Sequence, residues 1–362
     1  MDGGSPTNST MPLVISSITC LFTDDSHQKK KTIIAIIHVL TSSLSILGSS
    51  SVLIYAIFKK TVRSPEVCPL FHLALADFML ASLWLAGALF WFHREHSNCF
   101  YLDVVGEIAH IASFFLTTNY ALNAFLRLCE KTHSINNLEF SSVHVTTRSY
   151  LWISRIGYAF CWLIPVGIML PLLIYSIRWH TFDKLQNSCT FCLLLFDRPK
   201  IKSADSHWWS PYGSIALTSS LSISMVTLVL VYFMILRVFR KAVVYSGVLT
   251  DLQRANIDAI RNRIFLYILV FLVCWGPALV VASCDIDPHI IKLSAMHHWF
   301  ILFVFQGLTA PMQGFLNCIV YGWTRKSFRD ATETRSPLLE SDDYSFCRPR
   351  RFSYGASSFR SL

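Results

Sequence analysis

Charge is scarce in this chain. Asp, Glu, Lys and Arg make up 15% of its 362 residues, while apolar types make up 53%. Soluble domains carry roughly 25% charged residues. A water-facing globular surface is therefore excluded, and charge confined between long apolar runs indicates a polytopic membrane protein. Signatures of catalysis are missing as well. No apolar span holds a His-x-x-x-His metal pair or a Gly-x-Ser-x-Gly nucleophile, which argues against an intramembrane enzyme and gives no cofactor a place. Zinc spacing is absent: among 11 cysteines the one close pair, Cys189 and Cys192, has no second pair to complete a tetrahedral site. The net charge of +9 is not gathered in a basic groove with interleaved aromatics, so nucleic acid is not an expected partner. Internal repeats are lacking, which counts against an inverted-repeat transporter. The opening residues are polar and lack an apolar core of signal length, so the first span is expected to serve as the insertion signal.

What is present is seven apolar runs, each long enough to cross about 30 Å of hydrocarbon. They lie at Thr32–Phe58, Pro69–Phe92, Tyr101–Leu128, Tyr150–Ile177, Tyr212–Phe239, Asn262–Cys284 and His297–Trp323. The expected fold is an all-α membrane protein, a seven-helix bundle over 32–329. It is framed by an N-terminal segment, 1–31, and a polar tail, 330–362, whose composition is that of a disordered chain. The last span ends in Trp323-Thr324-Arg325-Lys326-Ser327-Phe328-Arg329, a membrane exit followed by a short amphipathic helix on the charged leaflet. Basic residues in the connecting segments favour an extracellular N-terminus and a cytoplasmic C-terminus by roughly two to one. Lys29, Lys30 and Lys31 run against that bias. With the N-terminus outside, the Asn8-Ser9-Thr10 triplet is a glycosylation acceptor at Asn8.

Polar groups inside the spans need partners, because lipid offers none. Asp77 sits mid-span, where a carboxylate costs about 2.5–3.5 kcal/mol on insertion scales. Asn317 lies at a depth that supplies a partner. Two readings stand side by side, a structural clasp between helices and a cation or proton site. On the third span, Glu107, His110, Ser113, Thr117 and Tyr120 recur at helical spacing and share one face. Glu107 and His110 are candidates for a pocket, with an internal Glu–His hydrogen bond as the alternative; Trp275 and Gln306 are further pocket candidates. Asn119 and Asn123 lie on another face, as glue between helices. Cys274-Trp275-Gly276-Pro277 kinks the sixth span, since proline removes a backbone bond and clashes with the preceding turn. A large aromatic beside a bend suits a two-state element, and equally a bent helix with one shape. Cys99 opens the third span, and an oxidising exterior permits a bridge from it to Cys189 or Cys192. Cys20 and Cys284 are further candidates.

Seven spans, a mid-span Leu75-Ala76-Asp77, a Cys at the head of span three, a Cys in the second outer loop and Cys274-Trp275-Gly276-Pro277 resemble the G-protein-coupled receptor superfamily over roughly 32–329. Leu47-Gly48-Ser49, Ser113-Phe114-Phe115 and Gln313-Gly314-Phe315-Leu316-Asn317 look closer to its cyclic-AMP-receptor-like and secretin-like branches. The resemblance implies a receptor with an extracellular ligand and a heterotrimeric G protein or other cytoplasmic transducer, in the plasma membrane and in contact with lipid. It assigns Asp77 to the family's sodium site, Trp275 and Pro277 to its toggle and kink, Asn317 and Tyr321 to the ends of its Asn-Pro-x-x-Tyr motif, and Cys99 with Cys189 to its bridge. Arg127, Arg237, Arg240, Lys241, Arg261 and Arg263 form the implied coupling face. The chain departs from the pattern at Cys318, which replaces the proline, and at the end of span three, where Leu126-Arg127-Leu128 stands without Asp-Arg-Tyr. Span seven has no lysine for a retinal Schiff base. A proton-linked carrier and a non-signalling scaffold are the competing readings.

Overall fold

The computed structural model describes residues 25–59, 62, 67–93, 99–136, 147–178, 192–193, 212–245, 251–286 and 296–322. Asn8, Cys189, the tail and the expected eighth helix at 324–330 lie outside the described residues. Every regular element among the described residues is a helix, as an apolar solvent demands of a backbone that must satisfy its own N–H and C=O groups. In chain order they are α1 Asp25–Phe58, α2 Val67–His93, α3 Cys99–Asn136, α4 Thr147–Arg178, α5 Tyr212–Tyr245, α6 Asp251–Ile286 and α7 Met296–Thr309, followed by a helical segment at 313–322. The first six are long and apolar enough to cross a membrane. Several run past their apolar stretch: α1 begins at Asp25 and carries Lys29 to Lys31, with Lys30 Nζ 5.7 Å above the Phe300 ring of α7. That packing gives the lysines an intramolecular role which charge counting does not see.

α3 is the central column. It touches α2, α4, α5 and α6, and it is the most buried of the six long helices. α1 packs on α2 and α7, and α7 on α6. The core is apolar and aromatic, with Trp84, Phe114, Phe271 and Trp275 sealed from solvent. Outward faces of α1, α4 and α5 are also apolar, with Leu47, Leu163 and Ile223 about two-thirds exposed. In water such a face would aggregate; in a bilayer it is the lipid contact.

The expected seventh span is not one rod. α7 ends at Thr309, and Ala310, Pro311 and Met312 form a tight turn before the chain resumes as helix. Pro311 has no N–H to give, so the carbonyl of Gly307, four residues back, loses its helical donor. Thr41 Oγ1 of α1 stands 3.3 Å from it, shared with the Ile37 carbonyl of its own helix at 2.8 Å. Past the proline the bonds shorten by one residue, with Gln313 N–H to the Ala310 carbonyl. That releases the N–H of Gly314, which donates to Ser45 Oγ at 3.1 Å. Near the kink proline of α6 a hydroxyl also approaches the backbone: Thr309 Oγ1, 2.9 Å from the Phe305 carbonyl of its own helix, lies 3.2 Å from the carbonyl of Cys274, three residues before Pro277. α4 contains two prolines which sequence reading passed over, Pro165 and Pro171. Beside the second, Tyr212 Oη donates to the Ile168 carbonyl at 2.7 Å. In each case a hydroxyl from a neighbouring helix lies near a carbonyl three or four residues before a proline.

Glycines allow the close approaches. A Cβ on Gly48 would stand 2.7 Å from Phe315 Cα, so α1 meets the 313–322 segment backbone to backbone. A Cβ on Gly87 would stand 2.5 Å from the Cys192 carbonyl. This contact bears on the disulfide. The resemblance assigned Cys189 to Cys99; the structure bonds Cys99 to Cys192, with Cα atoms 4.7 Å apart. The reason is local packing. Cys192 rests on Gly87 of α2, and Leu193 is buried with Ala35, Ala88 and Trp91, which fixes that stretch of loop beside the head of α3. Non-reducing peptide mapping should therefore find the Cys99 peptide joined to the Cys192 peptide. The link should persist in Cys189→Ser and vanish in Cys192→Ser. Gly87→Val should lower the thermal midpoint by forcing the loop off α2.

Candidate functional site

The polar residues of the spans converge at mid-bundle on Asp77. Its side chain is 2% exposed, and each oxygen faces donors from other elements. Gln313 Nε2 donates to Oδ1 at 2.8 Å, Asn317 Nδ2 donates to Oδ2 at 2.8 Å, and Ser113 Oγ lies 3.4 Å from Oδ1. Gln313 Nε2 also donates to Ser113 Oγ at 3.0 Å, and its carbonyl accepts the indole N–H of Trp275. One carboxylate thus ties α2 to α3, to α6 through an amide, and to the 313–322 segment. Gly314 presses against it: an added Cβ would lie 3.1 Å from Asp77 Cβ and 2.6 Å from Ser45 Oγ. The expected Asp77–Asn317 pairing is in place. Gln313 and Ser113 as further partners of Asp77 were not anticipated. The signal for Gln313 was present, because an amide in an apolar run needs a partner in lipid.

The polar stripe of α3 does face the interior: Glu107, His110, Ser113, Thr117 and Tyr120 are all buried. His110 Nδ1 lies 2.5 Å from the Gly106 carbonyl and must donate to it, which fixes its tautomer. Its ring stands edge-on to Trp84 at 5.6 Å and to Trp275 at 5.2 Å between centroids. Trp84 in turn meets His38 of α1 at 4.6 Å. The Glu107 carboxylate abuts α5, where a Cβ on Gly213 would stand 2.5 Å from Oε2. Gln306 is 5% exposed, and its Oε1 has no hydrogen-bond partner among the described residues. So the four pocket candidates sit in one half of the bundle, sealed, with His110 in contact with Trp275. Asn123 Nδ2 bonds Asn119 Oδ1 within α3 at 3.0 Å, and Asn119 also backs on Gly157 of α4.

Toward the end remote from the bridge lies a tyrosine group. Tyr267 of α6 meets Tyr120 of α3 with ring centroids 4.8 Å apart, and its hydroxyl donates to the Asn317 carbonyl at 3.5 Å. Tyr321 packs edge-on to Tyr55 of α1 at 6.4 Å. A small cavity beside Asp77 is walled by Val52, Leu70, Leu73 and Ala74 as well as by Asn317, Cys318 and Tyr321. Further along, Arg237 and Arg240 are exposed and Arg127, Arg261 and Arg263 half-buried; of Lys241 only the backbone is described. The Arg261 guanidinium covers the Phe239 ring at 4.2 Å and pairs with Asp258 at 3.2 Å, so the basic ends of α5 and α6 are joined.

Residues 31–347 match the family described as Transmembrane protein 116. A stretch of 111 residues is 31% identical to Cyclic AMP receptor-like protein C of Dictyostelium discoideum; it takes in 30% of this chain and 29% of that protein, so the chain spans under a third of that relative. C-X-C chemokine receptor type 1 of Macaca mulatta is 21% identical over 315 residues, 84% of this chain and 80% of the receptor. Melatonin receptor type 1B of Homo sapiens is 23% identical over 303 residues, 80% of this chain and 74% of the receptor. The class is therefore an integral multi-pass helical membrane protein with receptor-like relatives. Within it, the chain belongs to the Transmembrane protein 116 family.

The clasp makes a graded prediction. Asp77→Asn keeps an oxygen for Gln313, and Asn317 can turn its own oxygen toward the introduced amide. Asp77→Ala leaves Gln313 Nε2 and Asn317 Nδ2 without that acceptor. Interhelical hydrogen bonds in membranes average about 0.6 kcal/mol and reach about 1.7 kcal/mol. Thermal unfolding in detergent should rank wild type above Asp77→Asn above Asp77→Ala, with the alanine variant losing about 1–3 kcal/mol. Equal midpoints for the two variants would remove the clasp from the account of stability.

Proposed function

We propose that this protein is a seven-span receptor of the G-protein-coupled type. α7 has 14 residues and rises about 21 Å, too little for about 30 Å of hydrocarbon. Joined to the 313–322 segment it is long enough, and the pair forms the seventh span. The N-terminus and the Cys99–Cys192 bridge face outward, and the basic ends of α5 and α6 face the cytoplasm. A ligand entering near Glu107, His110 and Gln306 biases the packing of Trp275, and the bend at Pro277 turns that bias into movement of the joined basic ends. The observation that carries this reading is the hydrogen bond from Trp275 to Gln313, which couples the bent helix to Asp77. Support comes also from the receptor relatives. Their printed names differ in ligand, so none is transferred.

One observation favours a carrier instead. Discontinuous helices at mid-membrane are a hallmark of transporters, and the break at 310–312 lies near Asp77. In carriers, however, the loosened backbone lines the substrate path. Here the Gly314 N–H is taken by Ser45, and the Gly307 carbonyl faces the Thr41 hydroxyl of α1 rather than a path.

Expression in cultured cells followed by second-messenger assays should show a basal signal above mock-transfected cells. Pro277→Ala should shift that signal at matched surface expression, because it restores a donor and straightens α6. An epitope after Leu362 should stain only in permeabilised cells. Solute flux in proteoliposomes together with no second-messenger change would replace the receptor reading by the carrier.

A further inference from the structure

A sodium ion held beside a membrane carboxylate needs a shell of oxygens, and the resemblance assigns Asp77 such an ion. The residues around Asp77 do not fit one. The indole N–H of Trp275 can only donate. Because it bonds Gln313 Oε1, the orientation of that amide is settled by chemistry, with its nitrogen turned toward Asp77. Both N–H groups of Gln313 then have acceptors, Asp77 Oδ1 at 2.8 Å and Ser113 Oγ at 3.0 Å. Asn317 presents its nitrogen to Oδ2 at 2.8 Å. A carboxylate accepts only, so this orientation is required as well. A cation at this place would face amide nitrogens, while the Gln313 oxygen is spent on Trp275. Gly314 packs so closely between Ser45 and Asp77 that its neighbours leave no room for a methyl group there. The wall of the adjoining cavity combines the aliphatic Val52, Leu70, Leu73 and Ala74 with Ser49, Tyr267, Asn317, Cys318 and Tyr321.

We propose that the mid-bundle site takes no cation and that Gln313 is its permanent occupant, supplying from within the chain the donors that satisfy Asp77. Trp275 is thereby connected to Asp77 by one side chain, with no ion between them. The proposal does not depend on the receptor reading.

The test uses the full-length protein in detergent, with thermal unfolding in sodium, potassium and choline chloride at equal ionic strength. Wild type should give the same midpoint in all three. Gln313→Ser replaces the amide by a small hydroxyl, opening space and leaving oxygens around the carboxylate. Trp275→Phe keeps the bulk but frees the Gln313 oxygen, and it serves if the first variant does not fold. A sodium-specific rise of at least about 2 °C in either variant, beside an indifferent wild type, is the expected result. Two results overturn the proposal. One is a sodium-specific rise in wild type that Asp77→Asn abolishes. The other is indifference to sodium in every variant that folds, because the amide would then not be what keeps a cation out.

Discussion

A carboxylate placed in the middle of an apolar bundle must be met by donors, and the geometry around Asp77 follows from that need. Insertion of the charge costs about 2.5–3.5 kcal/mol, while three interhelical contacts at about 0.6 kcal/mol each return a comparable but smaller amount. The clasp therefore offsets much of that cost without a net gain, and losing the carboxylate alone destabilises because it strands the Gln313 and Asn317 amides. Its effect is on specificity: Gln313, Asn317 and Ser113 reach the same carboxylate only when α2, α3 and the 313–322 segment stand in one register. Trp275 enters the same network through Gln313, so α6 cannot rotate independently of it.

The backbone obeys the same rule as the side chains. Proline breaks in α4, α6 and after α7 expose carbonyls to a medium without water. Hydroxyls of Tyr212, Thr309 and Thr41 lie near those places from adjacent helices. For a switch this is useful, since a bend with an external partner can exchange that partner, whereas an internally bonded helix has nothing to exchange. Thr309, at the end of α7, has its hydroxyl between the Phe305 carbonyl of its own helix and the Cys274 carbonyl near Pro277.

At the bridged end, covalent and steric constraints take over. Cys99–Cys192 and Leu193 hold a short piece of loop against α2 and the head of α3. The cluster beneath it, Trp84 with His38 and His110, leads inward to Trp275. At the other end Tyr120 of α3 meets Tyr267 of α6, about two helical turns before Arg127.

By itself the sequence determined the solvent and the elements. Scarce charge and long apolar runs required helices in a bilayer, and six of the seven segments read from length stand among the described residues as membrane-length helices. The α3 stripe, the bend at Pro277 and the demand of Asp77 for a partner could be read because each is local: helical period, missing N–H, buried charge. Tertiary structure decided the pairings. Cys192 over Cys189 depends on which residue rests on Gly87. The part of Gln313 depends on the indole above it and the carboxylate below, which lie 38 and 236 positions away in the chain. The turn at 310–312 is tolerated only because Thr41 and Ser45 of α1 stand beside it. Composition and spacing state that a polar group needs a partner; depth and rotation of the packed helices determine which partner it meets.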